Sequence, residues 1–227
     1  MRRTLFSIGV AAAFFVCFVL PAKATPTSID VSLGNTAPGF SPGTKITPAQ
    51  YNSAASGQPA PFNAPCGSDA SSNCSASWTF NYPVPSGPVG SASLSLGIYD
   101  IDSAAPGDQI ASFTLDGSDD LTGLLNTASE ALDGTGSPNS YYDVLTITIP
   151  GADLAALGSG SATFALQLTG PGLGALGDTP DNGAGLVFSS LDIGVTPEPT
   201  SWLLFLTGIA LIGGGLFSRR IIPGRNL

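Results

Sequence analysis

Apolar and polar residues alternate along most of the chain between residues 28 and 193. In the clearest segments every second side chain is apolar, and the residues between are mostly Ser, Thr or Gly. Strict alternation over four to eight residues is typical of strands that bury one face and expose the other. The pattern predicts strands at 28–33, 77–82, 91–98, 111–115, 144–149, 161–168 and 186–193.

The segments between these strands are rich in turn-forming sequences such as Asp-Gly, Gly-Pro and Asn-Gly. Helical patterns are scarce: a short turn at 153–157, ended by Gly158, and a second candidate at 121–132. The pattern predicts an all-β fold, a single antiparallel β-sandwich of jelly-roll type with about eight strands. Residues 37–65, rich in Pro and Gly, are predicted to form a loop region without regular structure that could pack on a sheet.

The N-terminal end has the layout of a secretory signal peptide. Two arginines precede a short apolar run, and Ala22 and Ala24 form an Ala-x-Ala cleavage site. Cleavage by signal peptidase after Ala24 would leave Thr25 as the first mature residue. Residues 1–24 are therefore predicted to be a signal-peptide helix that directs export, and the alternative is a permanent N-terminal anchor.

A second apolar segment lies near the C-terminus. Residues 202–217 would form a helix about 24 Å long. This segment has fewer residues than the roughly 20 that usually span a bilayer. Arg219 and Arg220 follow it and would act as a cytoplasmic stop, with the rest of the chain outside. The sequence predicts a short transmembrane helix at this end.

Pro197, Glu198 and Pro199 precede this helix, and the whole layout resembles the PEP-CTERM sorting signal of Gram-negative bacteria. The resemblance extends from Thr196 to Asn226, and residues 197–227 are the predicted sorting signal. It implies that an exosortase, an integral-membrane cysteine transpeptidase, recognises Pro-Glu-Pro and cuts near it. The protein would first be anchored in the inner membrane with its main domain in the periplasm. It would then reach the cell surface or the extracellular matrix and associate with exopolysaccharide in a biofilm. The alternative is an ordinary C-terminal anchor after a chance Pro-Glu-Pro.

Subtracting both ends leaves a predicted domain at 25–196. It holds 15 of the 16 acidic residues and one of the 7 cations, Lys45, which gives a formal charge of −14 against −9 for the whole chain. One cation cannot neutralise a row of phosphates, so the composition excludes nucleic-acid binding. The chain has no His, so no Ser-His-Asp arrangement is available. We therefore expect a non-enzymatic protein; an Asp-based polysaccharide hydrolase is an alternative, since glycosidases need two carboxyl groups.

Two cysteines remain in the predicted domain, Cys66 and Cys74, with a polar, turn-forming loop between them. In an exported segment such a pair predicts a structural disulfide. The alternative, a reactive or metal-binding thiol pair, lacks His and further Cys to complete a site. The sequence therefore predicts no cofactor here.

Asp is the plentiful functional side chain of the domain. Asp100 and Asp102 lie at the end of a predicted strand, and Asp108 follows a Pro-Gly turn. Carboxylates in loops suit Ca²⁺, so a structural Ca²⁺ at these residues is an alternative to solvated, turn-forming aspartates. With Ca²⁺ bound, the chain would be a Ca²⁺-dependent carbohydrate-binding module.

The same region resembles lectin-like or carbohydrate-binding sandwiches. The resemblance rests on a Leu-rich strand ending in Tyr-Asp-Ile-Asp, followed by Phe-Thr-Leu-Asp-Gly and Gly-Leu-Leu-Asn. It implies a sugar ligand, for which aromatic rings would provide stacking. Trp78 and Phe80 are predicted to be core residues because they alternate with polar ones, whereas Tyr141 and Tyr142 are the better exposed candidates.

Overall fold

The structure is a computed structural model in which the described residues are 27–101, 107–133, 140–174, 177–196 and 208–209. Residues 27–196 belong to one compact unit, bounded by Thr25 and Glu198. The predicted signal peptide lies outside the described residues, as does the predicted sorting signal apart from residues 208–209. Among the described residues, no helix is both long and apolar enough to cross a membrane.

The described residues form eleven strands, two α-helices and one 3₁₀ helix. The helices are α1 (Pro48–Ala55) and α2 (Thr122–Asp133), and the 3₁₀ helix is Leu154–Ser159. In chain order the strands are β1 (Thr27–Gly34), β2 (Thr44–Lys45), β3 (Ser75–Asn81), β4 (Val89–Tyr99), β5 (Ile110–Leu115), β6 (Asp119–Asp120), β7 (Tyr141–Thr148), β8 (Ser161–Leu168), β9 (Gly172–Gly174), β10 (Gly177–Thr179) and β11 (Gly185–Val195). Each of the strands predicted from alternation is confirmed, with small shifts at the ends.

Two antiparallel sheets pack face to face. One has five strands in the order β1-β11-β4-β7-β2, and the other has four in the order β3-β8-β5-β6; β9 and β10 form a separate ribbon. The predicted all-β antiparallel sandwich is therefore confirmed. The strand pairs are nested along the chain, because β1 pairs with β11, β3 with β8, β4 with β7 and β5 with β6. Thr27 is the cross-strand partner of Val195, so the first and last strands lie side by side.

The core lies between the inner faces of the two sheets. Trp78, Phe113 and Phe164 stack on one another from three neighbouring strands, with ring centroids 5.8 to 6.2 Å apart. Leucines and isoleucines of the five-stranded sheet, such as Leu94 and Leu145, are buried in the same cluster. The alternation thus has its physical cause in a dry interface between sheets. Trp78 and Phe80 are core residues, as predicted.

The prediction for residues 37–65 is wrong in part, because this region holds β2 and α1. Thr47 caps α1: its Oγ1 accepts a hydrogen bond from the backbone N–H of Gln50 (3.2 Å), and its own N–H donates to Gln50 Oε1 (2.8 Å). Pro48 follows at the first helical position, where its missing N–H costs nothing. The capping box was readable in the sequence, but the Pro- and Gly-rich composition around it masked the signal.

Both predicted helical segments are helical in the structure, but their ends differ from the predicted ones. The segment predicted at 121–132 corresponds to α2, and the turn predicted at 153–157 overlaps the 3₁₀ helix. That helix does not end at Gly158. It ends at Ser159 and is capped by Gly160, whose φ of 84° lies in the left-handed region that glycine adopts without steric cost.

Candidate functional site

The predicted disulfide between Cys66 and Cys74 is present, with Cα atoms 4.7 Å apart. The loop that it closes is hydrogen-bonded to the segment before β11. The N–H of Cys66 donates to the Ala184 carbonyl (2.6 Å), and the N–H of Cys74 donates to the Asn182 carbonyl (2.8 Å). The disulfide loop is therefore held against a fixed part of the sandwich rather than projecting from it.

A cleft of about 280 Å³ lies where the disulfide loop meets the end of β4 and the start of α1. Two carboxylates, Asp69 and Asp100, contribute to its wall. The cleft is lined by Pro48, Pro65, Gly67, Ser68, Asp69, Tyr99, Asp100, Gly183 and Ala184. Its residues come from four separate parts of the chain, so only the folded sandwich assembles it.

Asp100 is held by its backbone in an unusual conformation, with φ of 64°. Its N–H donates to the Tyr141 carbonyl (2.8 Å), and its Oδ1 accepts a hydrogen bond from the N–H of Ser140. Burial raises the pKa of this carboxyl above its ordinary value, and the nearby Asp69 adds to the effect. The Ser140 N–H and Lys45 act in the opposite direction. The result is a carboxyl group that keeps its proton to higher pH than a solvated aspartate.

Asp69 was not among the residues predicted from sequence. It lies in the disulfide loop, and its Oδ1 accepts a hydrogen bond from the N–H of Gly183 (2.8 Å). The only sequence signal is its position between the two cysteines, because a short closed loop fixes what it carries. That signal did not indicate which other carboxylate Asp69 would face.

Of the predicted Ca²⁺ ligands, Asp100 and Asp108 are described and Asp102 lies outside the described residues. Asp108 is exposed beside Gln109. The side-chain amide of Asn182 donates to the Ile101 carbonyl (3.2 Å) and to Gln109 Oε1 (2.7 Å), which ties together the residues that flank Asp100 and Asp108. Within the described ranges, no three acidic or Cys side chains are grouped closely enough to hold a metal ion.

Other aspartates form hydrogen bonds in turns, in agreement with the alternative that the aspartates are turn-forming residues and not Ca²⁺ ligands. Asp116 accepts a hydrogen bond from the N–H of Thr163 (2.8 Å) and gives its own N–H to the same residue (2.7 Å). Asp120 accepts from the N–H of Thr122 (3.0 Å), at the start of α2. Hydrogen bonds from Thr122 lower the pKa of Asp120. These carboxylates support local backbone geometry.

Of the two tyrosines expected to be exposed, Tyr142 is buried and is not available for stacking on a ligand. Tyr142 is 2% exposed and lies edge-on to Phe40, with ring centroids 4.8 Å apart. Tyr141 is half-buried. The expectation failed for Tyr142 because the 37–65 region, predicted to lack regular structure, covers part of the outer face of the five-stranded sheet.

The terminal signals cannot be placed in the structure. The signal-cleavage residues Ala22, Ala24 and Thr25 lie outside the described residues. The same holds for the sorting motif and for the arginines of the cytoplasmic stop, namely Pro197, Glu198, Pro199, Arg219 and Arg220. These assignments stay predictions from the sequence.

No protein family model matches the chain, and no curated protein matches it. Among solved structures, the chain is similar to a GH86 glycoside hydrolase described in complex with neoagarooctaose, at 12% sequence identity and a TM-score of 0.37. The alignment covers 75% of this chain and 19% of that one, so this chain spans about a fifth of the hydrolase. A likeness at this level carries no argument about function.

Proposed function

We propose that the chain is an exported, non-enzymatic surface or matrix protein that an exosortase cuts near Pro197-Glu198-Pro199. The observation that carries the proposal is the layout of the C-terminal end, in which Pro-Glu-Pro, a short apolar segment and arginines follow one another. Exopolysaccharide is the proposed partner outside the cell. Before processing, the domain would face the periplasm while the C-terminal segment anchors it in the inner membrane.

The ends of the sandwich support this proposal. β1 begins at Thr27 and β11 ends at Val195. Cleavage after Ala24 and near Pro197 would therefore leave every described strand uncut. The Cys66–Cys74 disulfide also agrees with passage through an oxidising compartment such as the periplasm.

We further propose that the sandwich is of jelly-roll type. A jelly roll has eight strands in two sheets, built from Greek keys. What supports the assignment is the nested pairing of β1 with β11, β3 with β8, β4 with β7 and β5 with β6. The two-residue β2 and the β9–β10 ribbon would then be additions at the margins.

Mass spectrometry of the protein recovered from its host tests the processing. We expect an N-terminus at Thr25 and a C-terminus at or near residues 197–199. Replacing Pro197, Glu198 and Pro199 by Ala is the matched control, because it leaves the apolar segment and the arginines in place. This variant is expected to stay in the membrane fraction with its C-terminus intact. Released protein that still carries residues 202–217 would refute processing by exosortase.

Hydrolysis is the second candidate, and the cleft between Asp69 and Asp100 is the observation that favours it. A glycosidase needs one carboxyl with a raised pKa and a second that stays ionised. Asp100 has the raised pKa, and Asp69 is the second carboxyl group in the wall of the cleft. A turnover screen on polysaccharides decides, with Asp69→Asn and Asp100→Asn as controls. Turnover that both variants abolish would replace the non-enzymatic proposal.

A Ca²⁺-dependent carbohydrate-binding module is the remaining candidate, with Asp100, Asp102 and Asp108 as ligands. Calorimetry of the full chain with Ca²⁺ tests it, since a ligand that binds only the folded state also raises the melting temperature. Asp108→Asn is the control variant. It removes one of the proposed ligands, and this exposed carboxylate contributes little to the fold. If Ca²⁺ produces no heat and no rise in the melting temperature, this candidate is ruled out.

A further inference from the structure

Three adjacent strands of the four-stranded sheet carry no formal charge on their outer face, whereas the edge strand β6 carries Asp120 opposite Thr114. Strands β3, β8 and β5 direct alternate side chains away from the core, and these are exposed or half-buried. We call this surface the neutral face. It consists of Ser75, Ser77, Thr79, Asn81, Ser112, Thr114, Ser161, Thr163, Ala165 and Gln167.

The neutral face has a concavity of about 350 Å³ towards the end at which Ser75, Gln167 and Ser112 lie. Ala165 lies between Ser77 and Thr114 in the strand register, and its short side chain leaves the space. Gln167 lies between Ser75 and Ser112 in the next row and borders the same concavity. Beside it, the hydroxyls of Thr79 and Thr163 are hydrogen-bonded to each other at 2.9 Å.

The five-stranded sheet presents a different outer face. One part is covered by the region that includes α1, where Tyr51 stacks on Tyr99. The uncovered part carries Asp30 and Asp192, which are direct cross-strand partners. Two like charges in this arrangement repel each other and any polyanion. With a formal charge of −14 on residues 25–196, the neutral face is where an uncharged polymer can approach without displacing counterions.

We propose that the neutral face binds an uncharged polysaccharide chain lying across the concavity. Ser77, Ser112 and Gln167 would exchange hydrogen bonds with its hydroxyls, because hydroxyl and amide groups both donate and accept, as sugars do. The inference rests on the proposed association with exopolysaccharide and adds the chemical class of the partner.

The affinity must come from repetition along the polymer. Each neutral hydrogen bond adds only about 1 kcal/mol net, since it replaces one to water. The aromatic rings of these strands are buried in the core and offer no stacking surface; they are Trp78, Phe80, Phe113 and Phe164. A polysaccharide that engages several copies or several sites gains from effective concentration, whereas a monosaccharide does not.

The test uses the full chain purified in detergent and the host's own exopolysaccharide, split by anion exchange into neutral and acidic fractions. Affinity electrophoresis measures retention in gels that contain each fraction. We expect retention by the neutral fraction, at least about tenfold weaker retention by the acidic one, and little change up to about 0.5 M salt. No retention by the neutral fraction overturns the proposal.

Two double variants locate the surface. Ser77→Asp with Gln167→Glu adds two charges to the neutral face and should reduce retention at least about fivefold. Ser95→Asp with Thr146→Glu adds the same charges to the outer face of the five-stranded sheet, where the two hydroxyls are hydrogen-bonded at 3.0 Å. This control should retain full binding. Equal losses in both variants, or none in the first, contradict the assignment.

Milder variants, and sedimentation to measure the oligomeric state, complete the test. Ser77→Ala with Gln167→Ala should weaken retention without changing the melting temperature, which keeps the proposal testable if the charged variant fails to fold. The protein could prove to be a dimer that the neutral-face variants dissociate without changing retention. In that case the face is an interface between two copies of the chain, and the proposal is overturned. Processing is scored separately by mass spectrometry of the protein recovered from its host. An intact C-terminus there would refute sorting, and retention by the neutral fraction would still support the inference.

Discussion

At the scale of single residues, Asp100 shows how burial and backbone geometry act on one side chain. Its φ of 64° is uncommon for a residue other than glycine, although Asp and Asn adopt this region more readily than most. The hydrogen bond from the Ser140 N–H stabilises the ionised form, whereas burial opposes it. Burial is the larger effect, so the ionised carboxylate costs stability.

We expect Asp100→Asn to stabilise the protein at neutral pH. The folded-state pKa of Asp100 lies above its ordinary value of 3.8, so the wild type loses stability as pH rises through that pKa. Asn cannot ionise, and its Oδ1 can still accept from Ser140. Thermal melting should show a rise on the order of 2–4 °C per kcal/mol gained, which disappears once the pH falls below 3.8. Asp108→Asn should leave the melting temperature unchanged; an equal gain there would point to net charge as the cause.

Gly183→Ala should destabilise the protein by about 1–3 kcal/mol. A Cβ at this position would lie 2.7 Å from Ser68 Cα and 2.8 Å from Ser68 N, so backbone would have to move. The displaced disulfide loop carries Asp69, and the cleft would widen with it. Urea unfolding measures the loss. Gly151→Ala is the matched control, because its Cβ would meet nothing within 4 Å; a similar loss there would contradict the steric explanation.

At the scale of elements, α1 is a short helix whose stability depends on its cap and its packing. Its mean hydropathy is low, and Tyr51, Ala54 and Ala55 are its buried residues. An isolated helix of eight residues would not persist in water. The capping box at Thr47 and the stacking of Tyr51 on Tyr99, with ring centroids 5.2 Å apart, therefore act together to hold it on the sheet.

Thr47→Ala should cost about 1 kcal/mol, because the Gln50 N–H loses its partner at the start of the helix. Hydrogen exchange is the most direct measurement, and the Tyr51 amide should exchange faster than in the wild type. Ser53→Ala changes an exposed residue of the same helix to a better helix former and should not weaken it. Faster exchange in both variants would mean that the cap is not what holds the helix.

At the scale of the whole molecule, the sandwich buries hydroxyl groups of tyrosines from both sheets and from α1. Burial raises the pKa of Tyr51, Tyr82 and Tyr142 to about 12. The Tyr82 hydroxyl donates to the Leu157 carbonyl at 3.0 Å, whereas the Tyr51 hydroxyl has no partner among the described residues. In the folded protein these phenols therefore stay protonated up to a pH of about 12.

Alkaline unfolding should follow from these values. The unfolded pKa is about 10, so the contribution of each tyrosine to stability is present below pH 10 and is lost as pH rises to about 12. Tyrosinate absorbance and circular dichroism should change together. Tyr51→Phe should raise the unfolding pH, while Tyr82→Phe should gain less because it loses a hydrogen bond. Ionisation of most tyrosines with the far-ultraviolet signal intact would contradict this account.

The strands, the sandwich class and the disulfide were determined by the sequence itself. Alternation is a local property, and burial of one face of a strand requires it wherever that strand pairs. The pairing of Cys66 with Cys74 is equally local, since the described domain offers each cysteine a partner a few residues away. The proposed sorting signal also rests on the sequence alone, because such signals are linear motifs.

Only the tertiary structure decided which side chains meet. It placed Asp69 and Asp100 in one cleft, laid α1 over Tyr99, and left the neutral face open. These arrangements depend on strand order and register, which follow from the fit between distant surfaces rather than from any local pattern. The −14 charge of the predicted domain follows from its composition. The position of the uncharged surface on that domain follows from the fold.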